Sequence, residues 1–154
     1  MEPLGRLWLE AARAGFSPLL PAGHPLPGPD PERMRGGLVE PGVSLLVAVE
    51  DDRLAGFVGC GSNRDPDPEP GVGEVRSLFV GPAGWRRGTG SALIRAALAD
   101  LAGRGYRQAT LWSFEANGRA NAFYEAHGFE RDGATRTEEV WAHVEEVRYR
   151  RDLP

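Results

Sequence analysis

This sequence predicts a mixed α/β domain, and three observations carry that expectation. Short apolar runs bounded by Gly, Pro and Asp read as strands; two later segments switch to helical spacing; and helix and strand alternate through the second half of the chain. At 154 residues, with 41% apolar and 26% charged side chains, residues 1–154 make one domain with material for a substantial core. No internal repeat, low-complexity tract or linker divides it.

Leu4 to Ala14 has helical spacing, with Leu4, Leu7, Trp8, Ala11 and Ala12 on one face and Gly15 as its end. Phe16 to Pro31 holds six prolines and reads as a long irregular loop, and Pro31 to Leu38 as a short second helix. Val43 to Val49 and Leu54 to Cys60 are strands joined by an Asp51-Asp52 hairpin turn. Asn63 to Gly73 is an acidic, proline-rich surface loop, which neither helix nor sheet accommodates. Its Asp65, Asp67 and Glu69 follow no calcium-loop spacing and read as solvated. Glu74 to Val80 is a strand. Gly88 to Gly103 is a helix whose apolar face carries Leu93, Ile94, Ala97, Leu98 and Leu101. Arg107 to Phe114 returns as a strand, Ala116 to His127 is a helix stopped by Gly128, and Phe129 to Thr135 and Val140 to Tyr149 close as strands.

Composition excludes several classes. The net charge of −4 leaves no electrostatic footprint for nucleic acid or an anionic membrane, and all eighteen basic residues are arginine. The single Cys60 cannot form an internal disulfide, which suits a reducing cytoplasm, and it reads as a small apolar residue packed in its strand. No apolar run is long enough to span a bilayer and no signal core opens the chain, so a soluble, cytoplasmic protein is expected. His24, His127 and His143 have no partner at ligand spacing, so no metal site is expected.

The stretch Leu78-Phe79-Val80-Gly81-Pro82-Ala83-Gly84-Trp85-Arg86-Arg87-Gly88-Thr89-Gly90-Ser91-Ala92-Leu93-Ile94 is the most informative. A buried strand runs into a Gly/Pro turn, then two arginines and a Gly-x-Gly step open a helix. The first backbone N–H groups of a helix have no partner within it, and its dipole puts partial positive charge there; Arg86 and Arg87 add full charges. This is a site for a phosphorylated cofactor. The dinucleotide pattern G-x-G-x-x-G is not met, because Leu93 stands at its third glycine, and a chain without lysine has no Walker-type loop.

The segment resembles the acetyl-CoA-binding motif of the Gcn5-related N-acetyltransferases: a strand ending in Val-x-Pro, then Gln/Arg-x-x-Gly-x-Gly/Ala, then an amphipathic helix. It departs from that pattern at Trp85, which takes the Gln/Arg position. A second stretch, Asn117-Gly118-Arg119-Ala120-Asn121-Ala122-Phe123-Tyr124-Glu125-Ala126-His127-Gly128-Phe129, is similar to the family's Asn-x-x-Ala-x-x-Phe-Tyr-x-x-x-Gly-Phe. The resemblance implies a central, mostly antiparallel sheet with a splayed strand pair. The family usually opens with a strand, whereas this chain begins almost inside its first helix, so the first strand of the sheet is in question.

The implied activity is transfer of an acetyl group from acetyl-CoA to a primary amine, on a small molecule, an amino acid or a peptide, by direct attack in a ternary complex. The resemblance assigns the cofactor to Leu78, Phe79, Val80, Arg86, Arg87, Gly88, Thr89, Gly90, Ser91, Asn117 and Tyr124. The N–H near Val80 would face the oxyanion, and Tyr124 would protonate the leaving thiolate. Two roles stay open for Tyr124, proton donor or packed ring, and two for Asn117, cofactor orientation or helix cap. Glu74 is the candidate base. Counting by twos puts it on one face with Arg76, Leu78 and Val80; its other reading is a strand-end carboxylate, paired with Arg76 or solvated.

For the acceptor, the resemblance points to Trp8, Phe16, Trp112, Phe114, Trp141 and the loop Phe16 to Pro31, with Glu10, Glu74 and Glu115 to suit a cationic amine. Two other functions share these features: a non-catalytic acyl-CoA-binding or sensing module on the same fold, and, against the missing third glycine, a nucleotide-binding regulatory domain. A homodimer pairing through the final strand is a further expectation.

Overall fold

The computed structural model describes residues 2–26 and 40–154. Among them the order is α1 (Glu2–Gly15), β1 (Val43–Glu50), β2 (Arg53–Ser62), β3 (Val72–Val80), α2 (Thr89–Gly103), β4 (Gln108–Phe114), α3 (Gly118–Ala126), β5 (Glu130–Arg136) and β6 (Glu146–Asp152). The strands form one sheet in the order β1-β2-β3-β4-β6-β5, antiparallel everywhere except between β3 and β4. This is the expected mixed, mostly antiparallel architecture. The first described element is α1, and β1 is an edge strand among the described residues. The helix expected over Pro31 to Leu38 lies outside them.

Helix α1 covers one face of the sheet. Leu7 packs with Phe57, while Ala12, Phe16 and Leu20 pack with Phe79, Phe114 and Trp141. The opposite face holds the main core, where Leu93, Ile94, Ala97, Leu98 and Leu101 of α2 meet Val58, Val75, Leu111 and Val147. Burying a Leu or Ile side chain contributes about 1.5–3 kcal/mol, so these contacts hold the start of α2 firmly against β3. The Asp51-Asp52 hairpin forms as expected, with both residues at positive φ (49° and 59°), the conformation a tight two-residue turn requires.

Three expectations are corrected. Counting by twos along β3 fails because the register with β2 shifts: Ser77 faces Gly59, but Val75 faces Cys60, leaving Arg76 as an extra, bulged residue. Val75, Leu78 and Val80 therefore share the α2 face, while Glu74 and Phe79 lie on the other. The last strand begins at Glu146, because Val140 and Trp141 sit in a short 3-10 turn followed by Ala142 and His143 at φ 54° and 57°. It is also not an edge strand, being paired with β4 on one side and β5 on the other, which removes the basis for a dimer through it. Finally, in the loop after β2, Pro66 to Pro70 are exposed, as expected, whereas Asp65 is turned inward. Asp65 accepts from Trp112 Nε1 (2.8 Å) and Arg148 Nη1 (3.0 Å), and Glu69 pairs with Arg150 (3.0 Å).

Candidate active site

Strands β3 and β4 pair only over Val72–Glu74 and Gln108–Thr110, then diverge. Which backbone groups face the resulting gap follows from the register. Gly81 N–H donates to the Ala55 carbonyl (3.0 Å), and Val80 stands opposite Gly56, so Phe79 is bonded to β2 while Leu78 and Val80 turn their N–H and C=O away from it. The same reasoning applies to β4. Glu115 N–H donates to Glu145 (2.9 Å), so Trp112 and Phe114 turn their backbone groups toward the gap from the opposite side. Of the three residues expected to contact the cofactor arm, Leu78 and Val80 offer backbone to the gap. Phe79 instead sends its ring among Trp8, Phe16 and Phe57. A cleft of about 580 Å³ opens here.

The turn after β3 leads to the start of α2. The first helical bond runs from Ala92 N–H to the Gly88 carbonyl (2.9 Å), and Arg87 N–H reaches Gly84 (3.4 Å). Among the described residues the backbone N–H groups of Arg86, Gly88, Thr89, Gly90 and Ser91 have no backbone acceptor. Arg86 (φ 63°) and Gly88 (φ 83°) both adopt left-handed conformations, and left-handed residues beside a helix start are a backbone pattern from which anion-binding sites are built. Side chains of this segment are used elsewhere: Thr89 Oγ1 donates to Glu50, and Ser91 Oγ is 3.0 Å from His127 Nε2. Burial, then the charges of Arg95 and Arg151, lower the His127 pKa, so at neutral pH its ring braces Ser91 without adding charge. For Thr89 and Ser91 the backbone is what remains for a ligand.

Helix α3 supplies the other wall. Asn117 caps it, accepting from Ala120 N–H (3.3 Å), and also lines the cleft, so both of its expected roles are open to it. Its neighbour Asn121 carries more of the geometry. Buried, it accepts from Ser113 Oγ (2.7 Å) and donates to the carbonyls of Phe114 (3.2 Å) and Glu115 (3.0 Å), clamping α3 to the end of β4. Sequence reasoning missed this, although Asn121 stands inside the quoted motif. Tyr124 lines the cleft with its ring against Phe123, Phe129 and Tyr149. Burial pushes its phenol up to about 12, so it carries a proton at any physiological pH.

Glu74 also lines the cleft and is buried (2% exposed), but its carboxylate is engaged. Oε1 accepts from Arg64 N–H (2.9 Å) and Nε (3.2 Å), and Oε2 from Arg64 Nη2 (2.9 Å). The expected alternative partner, Arg76, bonds Glu40 and Ser62 instead. A second buried carboxylate, Glu146, faces the cleft opposite Phe114 and accepts from Arg136 Nε (3.1 Å) and Nη2 (3.2 Å). Arg136 is shared with Glu138 (3.4 Å), leaving two carboxylates against one guanidinium. Burial raises the Glu146 pKa, Arg136 opposes the rise, and the nearby Glu138 charge adds to it.

Of the expected acceptor-side residues, Phe16, Trp112, Phe114 and Trp141 line the cleft. Trp8 packs against Phe16 and Phe79 behind it, Glu10 borders a separate shallow depression, and the exposed Glu115 pairs with Arg131 (3.8 Å). Burial, then the adjacent Asp100 carboxylate, pushes the Cys60 thiol up to about 12, which makes it unsuitable as a nucleophile. Among the described residues no group of His, Cys, Asp and Glu is arranged to hold a metal, and no helix is long and apolar enough to cross a membrane.

A splayed parallel pair, a helix start with unpaired backbone N–H groups after it and a tyrosine on the next helix are the features of an acyltransferase-like fold. Residues 9–129 match the acetyltransferase (GNAT) family, and the chain belongs to it. It is 36% identical over 98 residues to a mycothiol acetyltransferase of Segniliparus rotundus, an alignment covering 64% of this chain and 37% of that protein. The chain thus spans little more than a third of that relative's length. Two solved structures share the fold: a protein of Streptococcus mutans (TM-score 0.76, 23% identity, 99% and 93% of the two chains) and the PaiA N-acetyltransferase of Thermoplasma acidophilum in complex with coenzyme A (TM-score 0.71, 15% identity, 99% and 92%).

Proposed function

We propose that this protein moves an acetyl group from acetyl-CoA to a primary amine by direct attack within a ternary complex. The observation that carries the reading is the gap edged by Leu78 and Val80 and leading straight into the unpaired N–H groups of residues 86 and 88–91. An extended pantetheine arm would pair with Leu78 and Val80 as an added strand. Its pyrophosphate would then fall on the N–H groups of Gly88, Thr89, Gly90 and Ser91, with Arg86 and Arg87 countering its charge.

In this reading the thioester carbonyl lies where the Val80 N–H can bond the developing oxyanion. Tyr124, kept protonated by its burial, gives its proton to the departing thiolate, and Asn117 orients the arm from the start of α3. The amine must arrive neutral. Glu74 stays ion-paired to Arg64 and helps form the acceptor wall, and water carries the amine proton past it to solvent. Glu74 is balanced by Arg64, so the part of the wall that would favour an acceptor cationic in solution is the Glu138–Glu146 pair, two carboxylates against the one Arg136 guanidinium beside Trp112 and Trp141. The Segniliparus relative is named a mycothiol acetyltransferase, so a mycothiol-type acceptor belongs in the screen.

Calorimetric titration with acetyl-CoA, with NAD as control, tests the cofactor. Micromolar binding, about −8 kcal/mol, is expected for acetyl-CoA alone. Free-thiol release across an amine library then tests the transfer. Absence of acetyl-CoA binding would overturn the proposal.

A further inference from the structure

Trp85 is the residue at which the phosphate-binding turn departs from its family pattern, and it does something specific. Its indole Nε1 donates to the Val80 carbonyl (3.0 Å), one of the backbone groups that β3 turns into the gap. The side chain reaches back because the turn is tight: Gly84 N–H bonds the Gly81 carbonyl (2.8 Å), and Trp85 N–H bonds that of Pro82 (3.2 Å). A Cβ at Gly84 would stand 2.9 Å from Val80 Cγ1, so only glycine lets the turn fold this closely onto the strand end. The outer face of the indole is covered by Arg119 of α3, whose guanidinium carbon lies 3.4 Å from the ring centroid.

Both side chains line the cleft, so the stack lies along the path an extended arm would take past Val80. The indole N–H makes the bond to that carbonyl which an amide N–H of a β-paired ligand would make. Arg119 is meanwhile crowded: burial first, then the positive charge of Arg86, lowers its pKa. Three guanidiniums, Arg86, Arg87 and Arg119, thus belong to one turn and the helix facing it, and an anion arriving there would draw Arg119 off the ring.

We propose that Trp85 competes with acyl-CoA for the Val80 carbonyl: the cofactor arm must displace the indole to pair with β3, and the displacement frees Arg119 to bond a cofactor phosphate. The proposal rests on the cofactor site argued above and adds to it a residue that sets cofactor affinity.

Coenzyme A itself is the probe, titrated calorimetrically into the unmutated protein and into Trp85→Phe, which keeps a ring for Arg119 but has no N–H. The variant is expected to bind about three- to tenfold more tightly, the worth of one lost competing hydrogen bond. In the unmutated protein the indole N–H resonance of Trp85, assigned by its absence from the variant, is expected to move at saturation and lose protection from solvent exchange. The indole resonances of Trp8, Trp112 and Trp141 report whether the variant is folded. Equal or weaker binding by the folded variant, or a Trp85 indole that neither moves nor exchanges faster, would overturn the competition while leaving the cofactor site standing. Binding by neither protein would overturn both.

Discussion

Arg64 holds the Glu74 carboxylate through both oxygens, using its guanidinium and its own backbone N–H at 2.9–3.2 Å. Arg64 belongs to the loop after β2 and is itself about half exposed, whereas Glu74 is buried in β3. With both oxygens bonded to Arg64, the carboxylate is held as a fixed part of the cleft wall. Glu74→Gln is therefore expected to lower kcat by less than about tenfold, below the usual worth of a general base. A fall of a hundredfold or more in a thiol-release assay would return the base role to Glu74. Arg64→Ala should harm the protein more through folding than through chemistry, because it leaves a buried carboxylate without its counter-charge and with only the backbone N–H of residue 64, at about 1–3 kcal/mol by urea denaturation. Adding Glu74→Gln to Arg64→Ala should restore part of that loss, since the orphaned charge is gone.

Tyr124 allows a sharper test of chemistry. Tyr124→Phe keeps the ring among Phe123, Phe129 and Tyr149 and removes only the hydroxyl. We expect kcat to fall about a hundredfold or more, with coenzyme A affinity within about threefold of the unmutated protein. With the phenol pushed up to about 12, loss of its proton lies above the working range. The pH profile of kcat should accordingly rise as the acceptor amine deprotonates and then level off, with no decline before pH of about 10. An alkaline limb near neutrality would assign the proton to another group.

Asp65 couples a loop to the cleft wall. It accepts from Trp112 Nε1 and from Arg148, and the Trp112 ring also lies under Arg136, at 4.3 Å from its guanidinium carbon. Asp65→Ala leaves the Trp112 indole N–H without its partner and Arg148 with Asp132 alone (2.6 Å). The expected cost is about 1–3 kcal/mol of stability, read as a fall in Tm of about 2–4 °C per kcal/mol. Because Trp112 lines the cleft, KM for the acceptor should rise more than kcat falls.

How much of this was legible in the sequence depended on the range of the interactions. The phosphate turn, both later helices and the Asp51-Asp52 hairpin are written locally, in Gly, Pro and Asp positions and in helical spacing, and they stand close to where expected. The bulge at Arg76 is not, because one extra residue in a strand leaves no mark on composition yet reverses every side chain beyond it, separating Glu74 from Leu78 and Val80. Val140 and Trp141 have strand-like side chains, but Trp141 gains more by packing against Phe16 and Phe114, and the left-handed Ala142 and His143 accommodate the turn. Partners distant along the chain, Asp65 with Arg148 and Glu146 with Arg136, could not be paired before the sheet order was known. Asn121 was within reach: a polar residue in a helix facing a strand end demands partners, and the freed carbonyls of Phe114 and Glu115 are the nearest.

Glu146 gives the pH prediction, and its sign follows from the direction of the shift. Burial holds its carboxyl above the ordinary 4.5, in spite of the Arg136 guanidinium. The folded protein therefore binds that proton more tightly than the unfolded chain does, and ionising Glu146 costs stability as pH rises from 4.5 through the raised value. Glu146→Gln removes this cost while keeping an acceptor for Arg136, which still has Glu138 at 3.4 Å. Its Tm should equal or exceed that of the unmutated protein at neutral pH, by up to about 4 °C. The advantage should shrink as pH falls, and vanish below about pH 4, where both side chains are neutral. A variant melting several degrees lower at neutral pH would mean that the ion pair with Arg136 outweighs the burial of the charge, reversing the direction argued here.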